Sequence, residues 1–361
     1  MKEVNIKVLI TGANGFVGSH LFQKLLNETK HEIFLLLRNP EQFNRFNSPR
    51  VHLIKGDLQH LPEVEPLFSD LDIVVHSAGL VHSFEKEDFY RVNTIGTEKL
   101  IACLNQSLLS EKKDHLRFIH LSSLAARGPN DHFNPQRPLD LPTSHYGRSK
   151  LESEKILQNQ TAHPWQYCVI RPPMVIGPLD QAIFDVFKMV KDRFLLMPGL
   201  KADQKIYSFV HVQDLVESIN RLIHLNPTEF KNFHRSIIYT ASIHQVTFLE
   251  LVSEMQKLMN IKKVYHLYLP EFLIRAFAYA LYGLHKFFPI KLRMTPDKLQ
   301  ELFPSGWSVI KTHSEINAET NPETCAEASP ETQRRHYFLN QRNLKETLND
   351  AYQSYLEKKW L

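Results

Sequence analysis

The sequence contains few cysteines. Only three occur among 361 residues, at Cys103, Cys168 and Cys325, and they lie far apart with no CxxC pair. This spacing excludes a disulfide framework and a thiolate zinc site. Because unpaired thiols are typical of a reducing compartment, the sequence predicts a cytoplasmic protein.

Two further features are missing. Lys2, Glu3 and Lys7 interrupt the N-terminal residues, which therefore contain no apolar signal-peptide core, and we interpret this segment as the start of a strand. No HExxH or comparable spacing of metal ligands occurs, so we expect no bound metal.

Neither sign of charge is in large excess. The chain has 43 Lys or Arg and 39 Asp or Glu, a net charge of +4 that is spread along its length. This balance predicts no nucleic-acid partner. The hydrophobic share of 43% and the charged share of 23% are those of a globular protein, and the length allows one large or two fused domains.

Short apolar runs alternate with longer segments in the first half of the chain. The first run is followed by a glycine-bearing turn and by helical spacing over 16–26. This alternation predicts a mostly parallel sheet with helices on both faces, which is the doubly wound α/β architecture of the Rossmann fold. The predicted strands are 6–10, 33–37, 51–54, 73–75, 118–121 and 167–170.

Proline and glycine interrupt the alternation after about Arg171. We therefore predict a smaller, mainly C-terminal α/β substrate lobe. Residues 314–331 are rich in Glu, Thr, Asn, Ser and Pro, so a mobile loop is predicted over 314–334. The predicted Rossmann domain is 1–170 with 208–240 returning to it, the lobe is 171–207 and 241–361, and helical patterns occupy 248–259, 270–288 and 344–361.

A glycine-rich turn connects the first predicted strand to the first helix. It reads TGANGFVG over 11–18, with Gly12, Gly15 and Gly18 spaced GxxGxxG. Gly12 permits a tight turn, Gly15 lets the backbone approach a pyrophosphate, and Gly18 allows the helix to pack closely on the sheet. Since the helix N-terminus adds N–H donors and a positive dipole end, the turn predicts a dinucleotide site.

Two residues at strand ends bear on the choice of dinucleotide. Arg38 follows the second strand, where an acidic residue would bind the ribose hydroxyls of NAD. Its guanidinium suits a 2′-phosphate and favours NADP over NAD, although a solvated surface arginine is the alternative. Asp57, after the third strand, either binds the adenine amino group or caps its own turn.

Tyr146 and Lys150 are spaced i, i+4, so on a helix both project from one face. A lysine cation beside a phenol lowers the pKa of the phenol, whose oxygen can then exchange a proton with a ketone or carbinol. Such a pair is also typical of a solvated helix face. Here Ser122 and Ser123 end the strand at 118–121, where a hydroxyl could hold a substrate oxygen.

These segments together resemble one known family, the extended short-chain dehydrogenase/reductases. That family includes sugar-nucleotide epimerases and dehydratases, dihydroflavonol reductases and 3β-hydroxysteroid dehydrogenases. The matching segments, in the family's order and spacing, are TGANGFVG (11–18), GDL (56–58), HSAG (76–79), VNTIGT (92–97), LSSLAARG (121–128), YGRSK (146–150), RPPMVIGP (171–178) and FVHVQDL (209–215).

The resemblance implies roles for particular residues. It selects Ser123 over Ser122 because the family's reactive hydroxyl stands five residues before the closing glycine, here Gly128. Lys150 would also bond the nicotinamide ribose, and Asn93 would support the proton path. The implied catalytic residues are Ser123, Tyr146, Lys150 and Asn93, and the implied cofactor-binding residues are Gly12, Asn14, Gly15, Phe16, Val17, Gly18, Arg38, Asp57, Leu58, Ala78, Gly79 and Lys150.

Two departures from the family pattern bear on the substrate. The segment 126–128 reads Ala-Arg-Gly and lacks an aromatic residue that often lines the pocket in the family. Sugar-nucleotide members have a phosphate-binding arginine where this chain has Tyr207, although Lys201 or Lys205 could substitute. The chain therefore looks more like the reductase and hydroxysteroid dehydrogenase branch.

The sequence thus predicts an NAD(P)-dependent oxidoreductase. It would move hydride between nicotinamide and a carbonyl or secondary alcohol of a small, largely apolar substrate. One alternative is a sugar-nucleotide epimerase or dehydratase with tightly bound NAD. Another is a non-catalytic dinucleotide-binding sensor or assembly subunit, against which the intact Ser123, Tyr146 and Lys150 argue.

Segment 269–292 is apolar and aromatic, but Arg275 and Pro289 are among the residues that interrupt it, so it is a poor membrane span. It is either a helix that lines the substrate pocket or an interfacial basic amphipathic helix that contacts lipid. The family resemblance also implies a homodimer through the helices that carry Asn93 and Tyr146.

Overall fold

The main sheet contains eight parallel strands within the described residues. Strands are numbered along the chain, and those of the main sheet are β1 Lys7–Thr11, β2 Glu32–Leu37, β3 Val51–Lys55, β4 Ile73–His76, β5 Arg117–Leu121, β6 Gln166–Arg171, β10 Ser236–Tyr239 and β14 Arg334–His336. Their order across the sheet is β14-β10-β6-β5-β4-β1-β2-β3. The computed structural model describes residues 5–43, 48–61, 68, 70–111, 116–132, 139–159, 165–285, 295–309, 334–336 and 342–361.

Helices cover both faces of this sheet. One face packs on α1 and α6 through residues such as Leu21, Leu25 and Ile219, and the other packs on α3 and α4 through residues such as Leu104 and Leu157. These helices and their neighbours are α1 Phe16–Glu28, α2 Lys86–Phe89, a π-helical turn Tyr90–Ile95, α3 Gly96–Glu111, α4 His145–Asn159, α5 Gln181–Lys191 and α6 Val212–His224. Because both faces are covered, β4 and β5 are buried along their full lengths.

The doubly wound fold is confirmed, and each of the six predicted strands begins and ends within one residue of its prediction. A further strand, β14, is unexpected. It pairs with β10, although the sequence analysis places 241–361 in the lobe. Its Arg-Arg-His sequence lacks the apolar run that identifies a buried strand, so the pattern gives no sign of it.

The lobe has two small sheets. β9 (Ile206–His211) pairs with β7 (Met174–Ile176), β11 (Ile243–Thr247) and β13 (Gly306–Trp307), while β8 (Phe194–Pro198) pairs with β12 (Tyr265–Leu269). Phe187, Met255 and Tyr355 are fully buried in the lobe core. The remaining helices are α7 Pro227–Phe230, α8 Phe248–Leu258, α9 Glu271–His285, α10 Pro296–Leu302 and α11 Leu344–Glu357.

Two C-terminal predictions fall partly outside the described residues. The helix predicted over 270–288 is α9, and 286–288 are not described. Of the predicted mobile loop at 314–334, only Arg334 is described, and it belongs to β14. No helix in the described part of the chain combines the length and hydrophobicity that crossing a bilayer requires.

Candidate active site

The glycine turn lies between the carboxyl end of β1 and the start of α1. Gly12 has φ +76°, a conformation that favours glycine, and a Cβ there would lie 2.6 Å from the backbone nitrogen of Ala78. Gly15 is the N-cap of α1, has no side-chain cap, and is exposed together with Asn14. The positive end of α1 is therefore open to an anion, and the cradle fits a dinucleotide pyrophosphate.

A cavity of about 380 Å³ lies beside this turn at the end of β2. Arg38 is exposed at this edge, so its guanidinium is accessible to a ligand. The lining residues are Asn14, Leu37, Arg38, Asn39 and Phe43.

Asp57 caps its own turn. Its Oδ1 accepts hydrogen bonds from the backbone N–H groups of Gln59 and His60, both at 2.8 Å. Burial opposes ionisation of Asp57, but these hydrogen bonds outweigh it and lower the pKa of the carboxyl. The neighbouring Leu58 is buried in the core beside Gly96 at the start of α3.

The segment after β4 connects the glycine turn to the residues predicted to be catalytic. His76 is buried, with Nδ1 2.7 Å from Thr11 Oγ1 and Nε2 2.9 Å from Thr97 Oγ1. Burial and the nearby Lys150 cation lower the pKa of His76 to about 3, so the ring is neutral and holds the strand end in place. A Cβ on Gly79 would lie 3.0 Å from Lys150 Nζ. The segment after β4 therefore contacts both the glycine turn and Lys150.

The hydroxyl of Ser123 lies near the phenol of Tyr146 and lowers its pKa. Ser123 Oγ also accepts from the backbone N–H of Ala125 at 3.1 Å. Tyr146 lies in the first turn of α4, and the next residue, Gly147, packs directly on the carbonyl oxygen of Ala125. This close approach, which a side chain at Gly147 would prevent, brings the two hydroxyls together.

Lys150 lies one turn further along α4. Its buried Nζ donates to the carbonyl oxygen of Leu121 at 2.8 Å, and burial lowers the pKa of Lys150 to about 8. Asn93, in the π-helical turn, donates from Nδ2 to Leu80 O at 3.0 Å and to Ser149 Oγ at 2.9 Å. Its Oδ1 accepts from Leu80 N at 2.7 Å, so Asn93 joins the segment after β4 to α4.

The electrostatics of Tyr146 differ from the sequence prediction, in which Lys150 lowers the pKa of the phenol. Burial raises the pKa of Tyr146, and the opposing effects of Ser123 and Lys298 do not offset it. Lys298 comes from α10, with Nζ 5.3 Å from the centroid of the Tyr146 ring and 2.6 Å from Glu301 Oε2. The cation that faces the phenol ring is therefore Lys298.

Helix α10 also caps α4, the helix that carries Tyr146 and Lys150. The carboxylate of Asp297 accepts hydrogen bonds from the backbone N–H of His145 at 2.6 Å and of Tyr146 at 3.2 Å. Ser144 Oγ donates to Glu301 Oε1 at 2.6 Å. Sequence analysis missed these residues. The Thr295-Pro296 pair is a helix-start signal, but nothing in the sequence indicates which helix α10 contacts.

Ser122 is part of a buried ionic network. Its hydroxyl donates to Glu154 Oε1. The fully buried Arg171 donates to the same carboxylate at 2.6 Å and to Asp140 Oδ1 at 2.8 Å. Ser122 is thereby held behind the site while Ser123 faces Tyr146.

Arg127 and Tyr207 lie at the two departures from the family pattern, and both contact residues of the lobe. Arg127 is buried and donates to the carbonyl oxygen of Ser308 at 2.9 Å. Burial raises the pKa of Tyr207 to about 12, and its ring packs 6.2 Å from that of Phe209. The suggestion that Lys205 replaces a phosphate-binding arginine is not supported, because its buried ammonium donates to the carbonyl oxygens of Pro198 and Leu302.

No group of three or more His, Cys, Asp or Glu side chains is arranged to hold a metal ion in the part of the chain that the structure describes.

This chain is similar to three known proteins described here. Ceramide reductase of Caulobacter vibrioides is 28% identical over 57% of this chain and 57% of its own length. The N-acetyl-alpha-D-glucosaminyl-diphospho-ditrans,octacis-undecaprenol 4-epimerase of Escherichia coli O157:H7 is 27% identical over 60% and 62%. The chain thus spans less than two thirds of either relative. UDP-glucuronic acid 4-epimerase of Bacillus cereus, solved with UDP-glucuronic acid and NAD, has a TM-score of 0.67 at 19% identity, covering 98% of this chain and 100% of its own.

The sequence model of the NAD dependent epimerase/dehydratase family matches residues 8–232. That range contains the glycine turn, Ser123, Tyr146 and Lys150. The chain belongs to the NAD-dependent epimerase/dehydratase family, within the extended short-chain dehydrogenase/reductases.

Proposed function

We propose that this protein is an NAD(P)-dependent oxidoreductase that transfers hydride between nicotinamide and a carbonyl or secondary alcohol of a largely apolar substrate. The observation that carries the proposal is the placement of Ser123 beside the phenol of Tyr146, in the first turn of the helix that also carries the buried Lys150. These residues are joined to the glycine turn by Gly79 and its neighbours. A proton-transfer group thus lies within reach of a dinucleotide site.

The residues present fit a nicotinamide dinucleotide. The turn at Gly12 and the N-terminus of α1 would hold the pyrophosphate, and Lys150 would bond the nicotinamide ribose. The accessible guanidinium of Arg38 suits a 2′-phosphate, which is why we propose NADP rather than NAD. When bound, the dinucleotide supplies or accepts the hydride.

Tyr146 transfers the proton at the substrate oxygen, and Ser123 positions that oxygen by a hydrogen bond. Because burial raises the pKa of the phenol, Tyr146 is protonated at neutral pH. A protonated phenol can donate to the oxygen of a carbonyl as that oxygen gains negative charge. This state suits the direction of carbonyl reduction.

An apolar substrate is supported by two observations. Tyr207 stands where sugar-nucleotide members have an arginine, and Lys205 is held by backbone carbonyls, so a diphosphate loses two candidate partners. The names of the two relatives given above specify ceramide and an undecaprenol-linked sugar, and each of these compounds has a long apolar chain. We propose a substrate with such a chain.

Isotope transfer tests this function. Purified protein is incubated with NADPH deuterated at nicotinamide C4 and with long-chain ketones, and the alcohols are analysed by mass spectrometry. We expect deuterium on the carbinol carbon and cofactor that exchanges freely, with NADPH preferred over NADH. Absence of transfer to every ketone, with NADPH bound, would favour the non-catalytic dinucleotide-binding alternative.

The epimerase or dehydratase alternative is favoured by the 27% identity, over 60% of this chain, to the 4-epimerase of Escherichia coli O157:H7. An internally recycled cofactor need not leave the enzyme. NAD released only on denaturation, together with conversion of a UDP- or dTDP-sugar, would establish that alternative and exclude ours.

A further inference from the structure

Helix α9 has a large exposed apolar face. Its buried stripe consists of Ile274 and Ala278, which pack against Leu299 of α10. On the remaining surface, Phe272 is 68% exposed and Phe277 61%, and the exposed large apolar side chains of the helix are Phe272, Leu273, Phe277, Tyr279 and Leu284. A helix that faces water carries polar residues on that surface. The exposed face of α9 is therefore suited to an apolar environment.

The same kind of surface continues on the two-stranded sheet that precedes α9. Phe194 of β8 is paired with Tyr265 of β12, and Leu267 follows two residues later on the same face. All three side chains are exposed, whereas the alternate residues of β8 are buried in the lobe core. We call the exposed residues of β8, β12 and α9 the apolar surface.

The apolar surface is next to the candidate active site. Helix α9 packs on α10, the helix that holds Lys298 over Tyr146. At its other end, the ring of Tyr282 stacks on Phe84 at 6.3 Å. Phe84 follows the segment of Gly79 that contacts Lys150. A substrate that approaches from α9 is therefore one helix away from the catalytic tyrosine.

The described sequence that forms β12 and α9 is basic. Between Ile261 and His285 there are three Lys or Arg, at Lys262, Lys263 and Arg275, and a single acidic residue, Glu271, which is paired with Arg275. Lys262 and Lys263 are exposed, and the ammonium of Lys263 lies 4.7 Å from the centroid of the Tyr265 ring on the apolar surface. Exposed aromatic and aliphatic side chains flanked by cations are the pattern of a helix that lies in the headgroup region of an anionic bilayer.

We propose that the apolar surface docks on a lipid bilayer with anionic headgroups and that the apolar substrate enters the site from that bilayer. The entry route rests on the proposed function, whereas the docking is measurable without turnover. Aromatic side chains of α9 would enter the headgroup boundary, and Lys262 and Lys263 would contact the headgroups.

Vesicle co-sedimentation of the full chain tests the docking. We expect binding to vesicles of phosphatidylcholine with phosphatidylglycerol, weaker binding to phosphatidylcholine alone, and loss of binding at high salt. Replacing both aromatic residues, Phe272→Ser with Phe277→Ser, should reduce the bound fraction about tenfold or more. The matched control is Leu356→Ser on α11, at a side chain that is 42% exposed, which should bind as the unaltered protein does.

Three results would overturn the docking. The first is no binding of the unaltered protein to anionic vesicles, and the second is equal binding of the folded double variant, checked by circular dichroism. The third is a dimer, measured by light scattering, that the double variant abolishes, because the apolar surface would then be an interface between two copies. Docking without deuterium transfer to any ketone would refute the proposed function and leave the docking intact.

Discussion

The main sheet and the lobe contribute different things to the surroundings of Tyr146. The sheet places the hydroxyls of Ser123 and Tyr146, since Ser123 follows β5 and Tyr146 lies in the first turn of the helix that packs on it. The lobe supplies charge: Asp297 caps that helix and Lys298 faces the phenol ring. The main sheet thus fixes the position of Tyr146. The lobe adjusts the proton affinity of its phenol.

The largest effect is expected within the sheet domain. Replacing Lys150 by Met removes the buried cation, its bond to Leu121 O and the expected ribose contact, so kcat/KM should fall about 10²- to 10³-fold with weaker NADPH binding. Steady-state kinetics and cofactor titration measure this. Lys257→Met on α8, an exposed lysine, is the control, and an equal loss in both variants would contradict a role specific to Lys150.

A methyl group at Gly147 should separate the two halves of the Ser123–Tyr146 pair. It would meet the carbonyl oxygen of Ala125, so Gly147→Ala should cost about 1–3 kcal/mol of unfolding free energy and about tenfold in kcat.

Gly283, on α9, has nothing within 4 Å of a built Cβ and is the matched helical control. Gly283→Ala should raise stability by up to about 1 kcal/mol. Thermal and urea unfolding compare the pair, and equal effects of the two substitutions would show that the close approach at Gly147 is unimportant.

Arg38 is expected to affect binding of the cofactor and not transfer of the proton. Arg38→Ser should raise the KM for NADPH about tenfold and leave the KM for NADH nearly unchanged, because only the 2′-phosphate loses its partner. Kinetics with both cofactors give the ratio. An unchanged NADPH to NADH ratio would mean that Arg38 is a solvated surface residue.

The lobe's contribution should be smaller and visible in the pH profile. Lys298 lowers the pKa of Tyr146 and Glu301 raises it. Lys298→Met should therefore raise that pKa, and since reduction needs the protonated phenol, the alkaline fall of kcat/KM should move to higher pH.

Glu301→Gln should move the alkaline fall to lower pH, because it removes the anion that raises the pKa of the phenol. The two variants are compared in one buffer series. Shifts of the same sign in both would contradict an electrostatic effect of α10 on the phenol.

The main sheet and the lobe also differ in how much of each could be predicted from the sequence. Buried parallel strands such as β5 consist of continuous apolar runs, so their positions and the sheet edge that carries Ser123 follow from local pattern. Tyr146 and Lys150 are recognisable because their spacing is set by one helix.

The lobe's part could not be predicted in the same way. Lys298 and Tyr146 are far apart in the sequence, and their contact depends on how α10 docks, which no local pattern encodes. The raised pKa of Tyr146 likewise depends on burial by the whole site, and β14 lacks an apolar run. The exposed face of α9 is visible only once the buried stripe of Ile274 and Ala278 is known.

The central claim, that Tyr146 transfers the proton in hydride transfer, is tested most directly by Tyr146→Phe. The variant keeps the ring beneath Lys298 and removes only the hydroxyl. With NADPH and a ketone that the unaltered protein reduces, kcat should fall roughly 10²-fold or more while the Kd for NADPH is unchanged. Turnover within about a few fold of the unaltered protein would contradict the account.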